Sequence, residues 1–296
     1  MLADVLKMLI WSCLQHFQNN LRSAMDSTDA EYLHQMRVAL RRLRVILRLT
    51  GKVRPDETLA ELYKDVSAVC IALGRIREWD VFISQTVQPM CKRMPGHAGL
   101  RALLAASERQ RESSYAALRS AAQMRELQRL LLCFAIWMNG PYWKQAGWQQ
   151  AGLERSAQDF ATRRLQKLAK RFARSGRDLD NADAAQLHAL RILAKKLRYS
   201  AEFFAALYDK GKVGSFLDAL SKVQDVLGQI NDIAVAHRLL DGLEADAAIA
   251  TQYEAVVLDA IALTRGWIAH DLSGQLAALR KSIQAFNKQP EFWKNN

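Results

Sequence analysis

The sequence contains little that would indicate β-structure, secretion or a membrane span. No stretch alternates apolar and polar residues with period two between turn residues, so no strands are predicted. No apolar run reaches about 18 residues, the length that a membrane-spanning helix needs. The four cysteines show no Cys-x-x-Cys spacing and the N-terminus lacks a signal-peptide cleavage pattern. We therefore expect an all-α, cytoplasmic protein with reduced thiols.

The motifs of phosphate-handling and hydrolytic enzymes are missing as well. The chain has neither a Gly-x-x-x-x-Gly-Lys loop nor a Gly-x-Ser-x-Gly motif. His237 and the later His270-Asp271 pair resemble the spacing of metal phosphohydrolases of the His-Asp type, but that site needs a further Asp downstream and residues 272–296 contain none. Glu78 and Asp80 are interpreted as helix caps and local ion-pair partners. We expect no catalytic residue, no metal and no cofactor.

Acidic residues are too few to balance the basic ones. The 42 Lys and Arg residues exceed the 30 Asp and Glu residues, which gives a formal net charge of +12. Such an excess favours a polyanionic partner: a nucleic acid, polyphosphate or an anionic membrane.

The basic residues follow a helical period in the segment from His34 to Arg48. At 3.6 residues per turn their side chains fall within roughly 80° of one another, opposite Tyr32, Met36, Leu40, Leu43 and Leu47. Thr28 and Glu31 have capping-box spacing just before this helix. We call this set, which contains no carboxylate, the first basic stripe: His34, Arg37, Arg41, Arg44 and Arg48.

A second copy of the pattern lies 154 residues later. Leu-His-x-x-Arg-Ile-x-x-Lys-Lys-Leu-Arg-Tyr begins at Leu187, and Leu73-Gly74-x-Ile-x-Glu is matched by Leu227-Gly228-x-Ile-x-Asp at the same offset. Two motifs with one offset predict an internal duplication. The second basic stripe comprises His188, Arg191, Lys195 and Arg198, and Glu202 stands at the position of Arg48.

The duplication predicts two pseudo-symmetric helical halves, 1–140 and 153–296, separated by a Gly- and Pro-containing stretch that starts at Asn139. Glycine and proline are taken as helix ends. The expected helices therefore include 57–73, 78–90, 183–209, 213–228, 232–245, 250–272 and 275–287.

Another carboxylate-free set of cations opens the second half. Successive members are four, three and four residues apart, so they lie on one face of a helix. This face is expected either to bind an anion or to be an ordinary solvated charged surface. We call them the third basic stripe: Arg163, Lys167, Lys170 and Arg174.

The two repeated motifs carry a resemblance to a known family. His-x-x-Arg-Val-x-x-Arg-Arg-Leu-Arg and its second copy, each followed by Leu-Gly-x-x-(Arg/Asn)-acid, resemble the CHAD domain, the conserved histidine α-helical domain. The resemblance implies two helical bundles and a basic surface that binds inorganic polyphosphate. Glu78, where the family usually has Asp, and Glu202 depart from its pattern.

Together these observations predict a non-enzymatic protein that binds inorganic polyphosphate, with polyphosphate granules as a further expected place of association. Arginine forks meet phosphate oxygens in pairs, and a ladder of cations suits a linear polyanion. The stripes of both halves are expected to line one shared groove, with Arg42 and Lys196 at its edge. The alternatives are a protein that binds the RNA backbone and a polyphosphate phosphohydrolase. If polyphosphate is the ligand, nucleic acid is expected to compete with it more weakly.

The shared groove predicts a specific result for two charge reversals at matched positions. If one long polymer spans both stripes, Arg41→Glu or Lys195→Glu alone should remove the bivalent advantage, because each stripe raises the local concentration of chain at the other. The double variant should then lose less than the sum of the single losses, as measured by titration with long polyphosphate. Additive losses for long and short polymers alike would contradict the shared groove.

Overall fold

The computed structural model describes residues 1–27, 29–144, 156–177, 179, 182–245 and 254–294. Within these ranges every regular element is helical and no strand occurs, so the all-α prediction is confirmed. In the same ranges, no helix combines the length and the apolar character that crossing a membrane requires.

Ten α-helices account for most of the described residues. Three shorter segments join them: a π-helix over Ile83–Val87 and 3₁₀ turns over Pro141–Trp143 and Ala205–Leu207. The α-helices are α1 Leu2–Asp26, α2 Ala30–Val53, α3 Glu57–Phe82, α4 Gln88–Arg93, α5 Ala98–Arg119, α6 Ala121–Asn139, α7 Ala157–Ser175, α8 Ala184–Phe203, α9 Lys210–Glu244 and α10 Glu254–Asn287.

The chain forms two compact units whose boundaries differ from those of the predicted halves. The first unit contains residues 1–77 and 113–161, and the second contains 78–112 and 162–296. Each unit thus combines segments that are distant in the sequence. The duplication stays a prediction.

The predicted helix ends at glycine are wrong. Gly74 lies inside α3, Gly228 inside α9 and Gly274 inside α10, so each of these helices replaces two shorter predicted ones. An interior glycine costs a helix about 0.5–1 kcal/mol relative to alanine. Burial of neighbouring side chains outweighs this cost, since Leu73 and Leu227, which precede the first two glycines, are each at most 1% exposed.

The predicted end near Pro89 is wrong as well, because the chain stays helical through the proline. Proline has no N–H for the carbonyl four residues back, and its ring clashes with that carbonyl. The π-helix Ile83–Val87 widens the preceding turn, and the Gln88 N–H donates to the Ile83 carbonyl, five residues back. Pro89 then lies in the first turn of α4, where a missing N–H is tolerated.

The first unit is built on α1 packed along α2. Leu6, Ile10 and Phe17 of α1 and Leu40 and Leu43 of α2 are almost completely buried. This confirms the apolar back of the helix that carries the first basic stripe.

Two details of α2 differ from the expectation. Tyr32, assigned to the apolar back, is 36% exposed. The N-cap is Asp29, whose carboxylate accepts the Glu31 N–H at 2.8 Å, while Thr28 lies outside the described residues.

The second unit contains a core in which α9 and α10 pack together, joined by residues from the π-helix, α4 and α5. Glu78 and Asp80 form ion pairs in this unit rather than capping a helix. Arg238 donates to Glu78 at 2.8 Å, and Arg111 donates to the buried Asp80 at 2.7 Å. The cap interpretation is wrong because α3 continues through both acids, so no N-terminal N–H groups are available there.

Candidate anion-binding site

The first basic stripe lies along α2 on the side that faces α3. Its four N-terminal members, His34 to Arg44, are half-buried, whereas Arg48 is exposed. Half-burial restricts these long side chains, so their charged ends have defined neighbours, which come from α3.

Arg37 reaches the backbone of α3 close to a glycine. Its Nη1 donates to the carbonyl of Cys70 at 3.4 Å. A Cβ atom added to Gly74 would lie 2.9 Å from the same Nη1. The guanidinium of Arg37 therefore occupies space that any other residue at position 74 would fill.

Arg44 contacts two side chains of α3. Its guanidinium lies 5.9 Å from the centroid of the Tyr63 ring and hydrogen-bonds both the Tyr63 hydroxyl and the Cys70 thiol. Burial raises the pKa of Tyr63, but the hydrogen bond and charge of Arg44, the charge of Arg48 and the hydrogen bond with Ser67 together outweigh it, so this pKa falls below its ordinary value. At Cys70 burial prevails and raises the pKa of the thiol, against the opposing charges of Arg44, Arg37 and Arg41.

The residues on the face of α3 that contacts the stripe include no carboxylate. Successive members are four, three, four and three residues apart in the sequence, which places them on one helix face. The acids Asp65 and Asp80 of α3 are paired elsewhere, with Arg129 at 3.1 Å and Arg111 at 2.7 Å. We call this set the facing row: Tyr63, Ser67, Cys70, Gly74 and Arg77.

Two stripe members retain unused hydrogen-bonding capacity. The Nε atoms of Arg41 and Arg44 are buried and have no hydrogen-bond partner among the described residues. A buried donor without an acceptor costs free energy, so these positions favour an added acceptor.

His34 is held neutral by its surroundings. Burial is the main cause that lowers its pKa below the ordinary 6.5, and the positive charges of Arg77, Arg41 and Arg37 lower it further, with Glu31 opposing. At pH 7 the imidazole is therefore mostly uncharged and can donate one hydrogen bond to an anion.

Arg42 lies on a different side of α2 from the stripe. It hydrogen-bonds the buried thiol of Cys13 in α1. Burial raises the pKa of that thiol to about 11, against the lowering effect of Arg42. Arg42 is thus oriented toward α1, while the stripe side chains contact α3.

The second basic stripe lies on α8, which begins with a capping box between Asp183 and Gln186. His188 is exposed, and Arg191, Lys195, Lys196 and Arg198 are half-buried.

Arg198 makes the best-defined contacts of the second stripe. Its Nε donates to Glu202 at 2.8 Å, and its Nη1 donates to Gln224 at 3.1 Å and to Ser221 at 3.4 Å. Arg198 is the counterpart of Arg44, and Gln224 is the counterpart of Cys70, each 154 residues later. The same arginine position thus contacts the same position of the following long helix in both units.

The third basic stripe is exposed. Arg163, Lys167, Lys170 and Arg174 lie on the outside of α7, opposite the buried apolar residues of that helix. Three of them, with Arg171 and Ser175, line a surface cleft of about 440 Å³. Arg171 was not predicted, because it falls outside the strict spacing.

A larger cleft of about 540 Å³ lies in the second unit, and its lining includes Asp232, His270, Arg93 and Trp267. The Arg93 guanidinium lies 4.9 Å from the centroid of the Trp267 ring. Among the described residues, no group of three or more His, Cys, Asp or Glu side chains is arranged to hold a metal ion, here or elsewhere.

Sequence reasoning missed the facing row, although the same method could have found it. The spacing of the facing row is as regular as that of the stripe, and four acids of α3 fall on other faces, with Glu78 beside the row: Glu57, Glu61, Asp65 and Asp80. The facing row contains only one charged residue, Arg77, so no run of like charges marks it in the sequence.

Comparison with known proteins places the chain in a family. The CHAD domain model matches residues 8–241, most of the chain. The chain belongs to the CHAD domain family. The crystal structure of the CHAD domain from the plant Ricinus communis is 31% identical, with 96% of this chain and 92% of that chain covered and a TM-score of 0.76.

PptA from Streptomyces chartreusis shares the fold at 12% identity, with 95% of this chain and 99% of that chain covered and a TM-score of 0.58. No curated protein sequence matches the chain.

The environment of His34 predicts how its titration responds to substitution. Arg77→Gln should raise the pKa of His34, because it removes the strongest of the opposing positive charges. An NMR titration of the His34 ring resonances measures the change, with Arg48→Gln as the control at the far end of the stripe. An unchanged pKa in Arg77→Gln would contradict the proximity of these two side chains.

Proposed function

We propose that this CHAD domain protein binds inorganic polyphosphate without hydrolysing it. The observation that carries the proposal is the first basic stripe against the facing row: arginines of α2 meet a helix face that offers no carboxylate. Arg41 and Arg44 form no ion pair among the described residues, so a polyanion would supply their counter-charge.

The side chains suit phosphate chemically. A guanidinium offers a planar fork of N–H donors that meets two oxygens of one phosphate. The stripe repeats such forks at one-turn intervals, which suits a linear polymer of phosphates better than a single small anion. Release of the counterions condensed on the polymer would contribute much of the affinity.

The cost of the arrangement also supports a ligand. Like charges at three- or four-residue spacing destabilise a helix by about 0.2–0.5 kcal/mol per pair. The lowered pKa of His34 reflects part of this cationic environment. An anion placed between α2 and α3 would relieve the repulsion and accept hydrogen bonds from Arg41 and Arg44.

The other two stripes extend the cationic surface in different ways. On α8 the arginines and lysines are half-buried, as on α2. On α7 they are exposed, so they would hold a polymer by charge with little geometric selection. We propose that the second stripe binds phosphate groups directly and that the third captures polymer more loosely.

RNA is the main rival ligand because the same ladder of cations would hold a nucleic-acid backbone. Proteins that bind single strands combine a basic groove with exposed aromatic side chains on which bases stack. The aromatic residue of the facing row, Tyr63, is instead half-buried and contacts Arg44. We therefore propose that polyphosphate is preferred over RNA.

A competition experiment tests the proposal. Fluorescently labelled polyphosphate is titrated with the full chain over a salt series, RNA and DNA are added as competitors, and free phosphate is assayed in parallel. Affinity should fall by roughly 0.7–0.9 log units per log unit of salt for each phosphate neutralised, by analogy with nucleic acids. Equal or better competition by RNA would favour the nucleic-acid alternative. Steady phosphate release that Arg41→Glu abolishes would show an enzyme.

Two matched glycines give a prediction about the first stripe. Gly74→Ala and Gly228→Ala both remove an interior glycine, so each should stabilise its helix by about 0.5–1 kcal/mol. Only Gly74→Ala must displace a ligand-binding side chain, because its Cβ would lie 2.9 Å from Nη1 of Arg37, whereas nothing lies within 4 Å at Gly228.

We therefore expect Gly74→Ala to weaken polyphosphate binding severalfold and Gly228→Ala to leave it unchanged. Thermal unfolding and titration with labelled polyphosphate measure the two effects separately. Equal affinities of the two variants would argue against a role of Arg37 in binding.

A further inference from the structure

The second basic stripe differs from the first by ending in an acid. Glu202 occupies the position 154 residues after Arg48, and it accepts a hydrogen bond from Arg198 Nε at 2.8 Å. Both side chains are partly buried, with 37% of Arg198 and 21% of Glu202 exposed. The pair is therefore better shielded from water than most surface ion pairs.

Helix stability does not account for an acid at this position. Glu202 is the last residue but one of α8, and negative charge is unfavourable near the C-terminus of a helix dipole. An ion pair at i,i+4 is also weaker when the acid follows the base than when it precedes it. The contact of Glu202 that bears on the second basic stripe is its hydrogen bond with Arg198.

The contacts of Arg198 reduce its ability to hold a phosphate. A guanidinium binds an anion bidentately either through Nε and one terminal nitrogen or through its two terminal nitrogens. Glu202 occupies Nε, and Gln224 and Ser221 occupy Nη1. Each bidentate mode therefore has one donor already engaged.

The first stripe has the opposite arrangement at the matched positions. Arg48 stands where the second stripe has Glu202, and it is exposed. Arg44, the counterpart of Arg198, contacts Tyr63 and Cys70, and its Nε has no hydrogen-bond partner among the described residues. An incoming phosphate therefore meets no carboxylate at Arg44.

We propose that Glu202 is an intramolecular competitor that weakens the second basic stripe, so that the first stripe is the tighter of two unequal phosphate sites. This inference rests on the proposed function. A phosphate that binds Arg198 bidentately displaces Glu202 or approaches it closely, and either event costs affinity. Removing the carboxylate should therefore strengthen binding, an outcome that general damage to the protein would not produce.

Four forms of this chain test the inference: the wild type, Glu202→Gln, Glu202→Arg and Asp259→Asn. The last removes one negative charge from an exposed position of α10 and controls for net charge. In titrations with labelled polyphosphate, Glu202→Gln should bind roughly three- to tenfold more tightly than wild type, since a partly shielded ion pair no longer competes. Glu202→Arg should bind more tightly still.

The salt dependence provides an independent readout. A freed Arg198 adds one phosphate contact, so the slope of log affinity against log salt should steepen by about 0.7–0.9 in Glu202→Gln. Unchanged or weaker binding by both Glu202 variants, or an equal gain in Asp259→Asn, overturns the inference while the proposed function stands. If the wild type and all variants fail to bind polyphosphate, the proposed function is wrong and the inference falls with it.

Discussion

Burial of the apolar back of α2 is the interaction on which the candidate site depends. A stripe of like charges opposes helix formation by about 0.2–0.5 kcal/mol for each close pair. Complete burial of one leucine or phenylalanine side chain contributes about 1.5–3 kcal/mol. Leu33, Met36, Leu40 and Leu43 of α2 are all at most 1% exposed. The packing of α1 on α2 therefore exceeds the repulsion severalfold, and the fold can hold the cations together.

The large free energy of side-chain burial, relative to local helix preferences, also explains which parts of the structure the sequence could predict. The all-α class and the location of the first and second stripes follow from periodicity, because the apolar and charged faces alternate with the helical repeat. The helix ends at Gly74 and Gly228 were wrong because local propensity is a weak term, which burial of Leu73 and Leu227 outweighs. The continuation through Pro89 was missed because a π-turn leaves no recognisable pattern in the sequence.

At the site, the limits of sequence reasoning have a different cause. The stripe residues could be named from spacing alone, but their partners could not, since these belong to another helix. Nothing in the sequence indicates that Arg37 reaches the Cys70 carbonyl or that Arg42 is oriented toward Cys13. Glu202 was visible as a departure, and its i,i+4 spacing from Arg198 is typical of an ion pair, but the contacts of Arg198 with Gln224 and Ser221 involve another helix.

The π-helix before Pro89 has a consequence for the chain's tolerance to changes in length. A turn that closes after five residues instead of four holds one extra residue, which rotates everything after it by about 100° relative to an uninterrupted α-helix. Val87 and Met90 are both fully buried with this rotation. Deleting one residue from 83–87 would return this segment to ordinary α-helical register, which keeps Met90 on the buried face but sets the ring of Pro89 against a carbonyl of the preceding turn. The extra residue therefore lets a proline stand within a continuous helical segment without changing which side chains are buried.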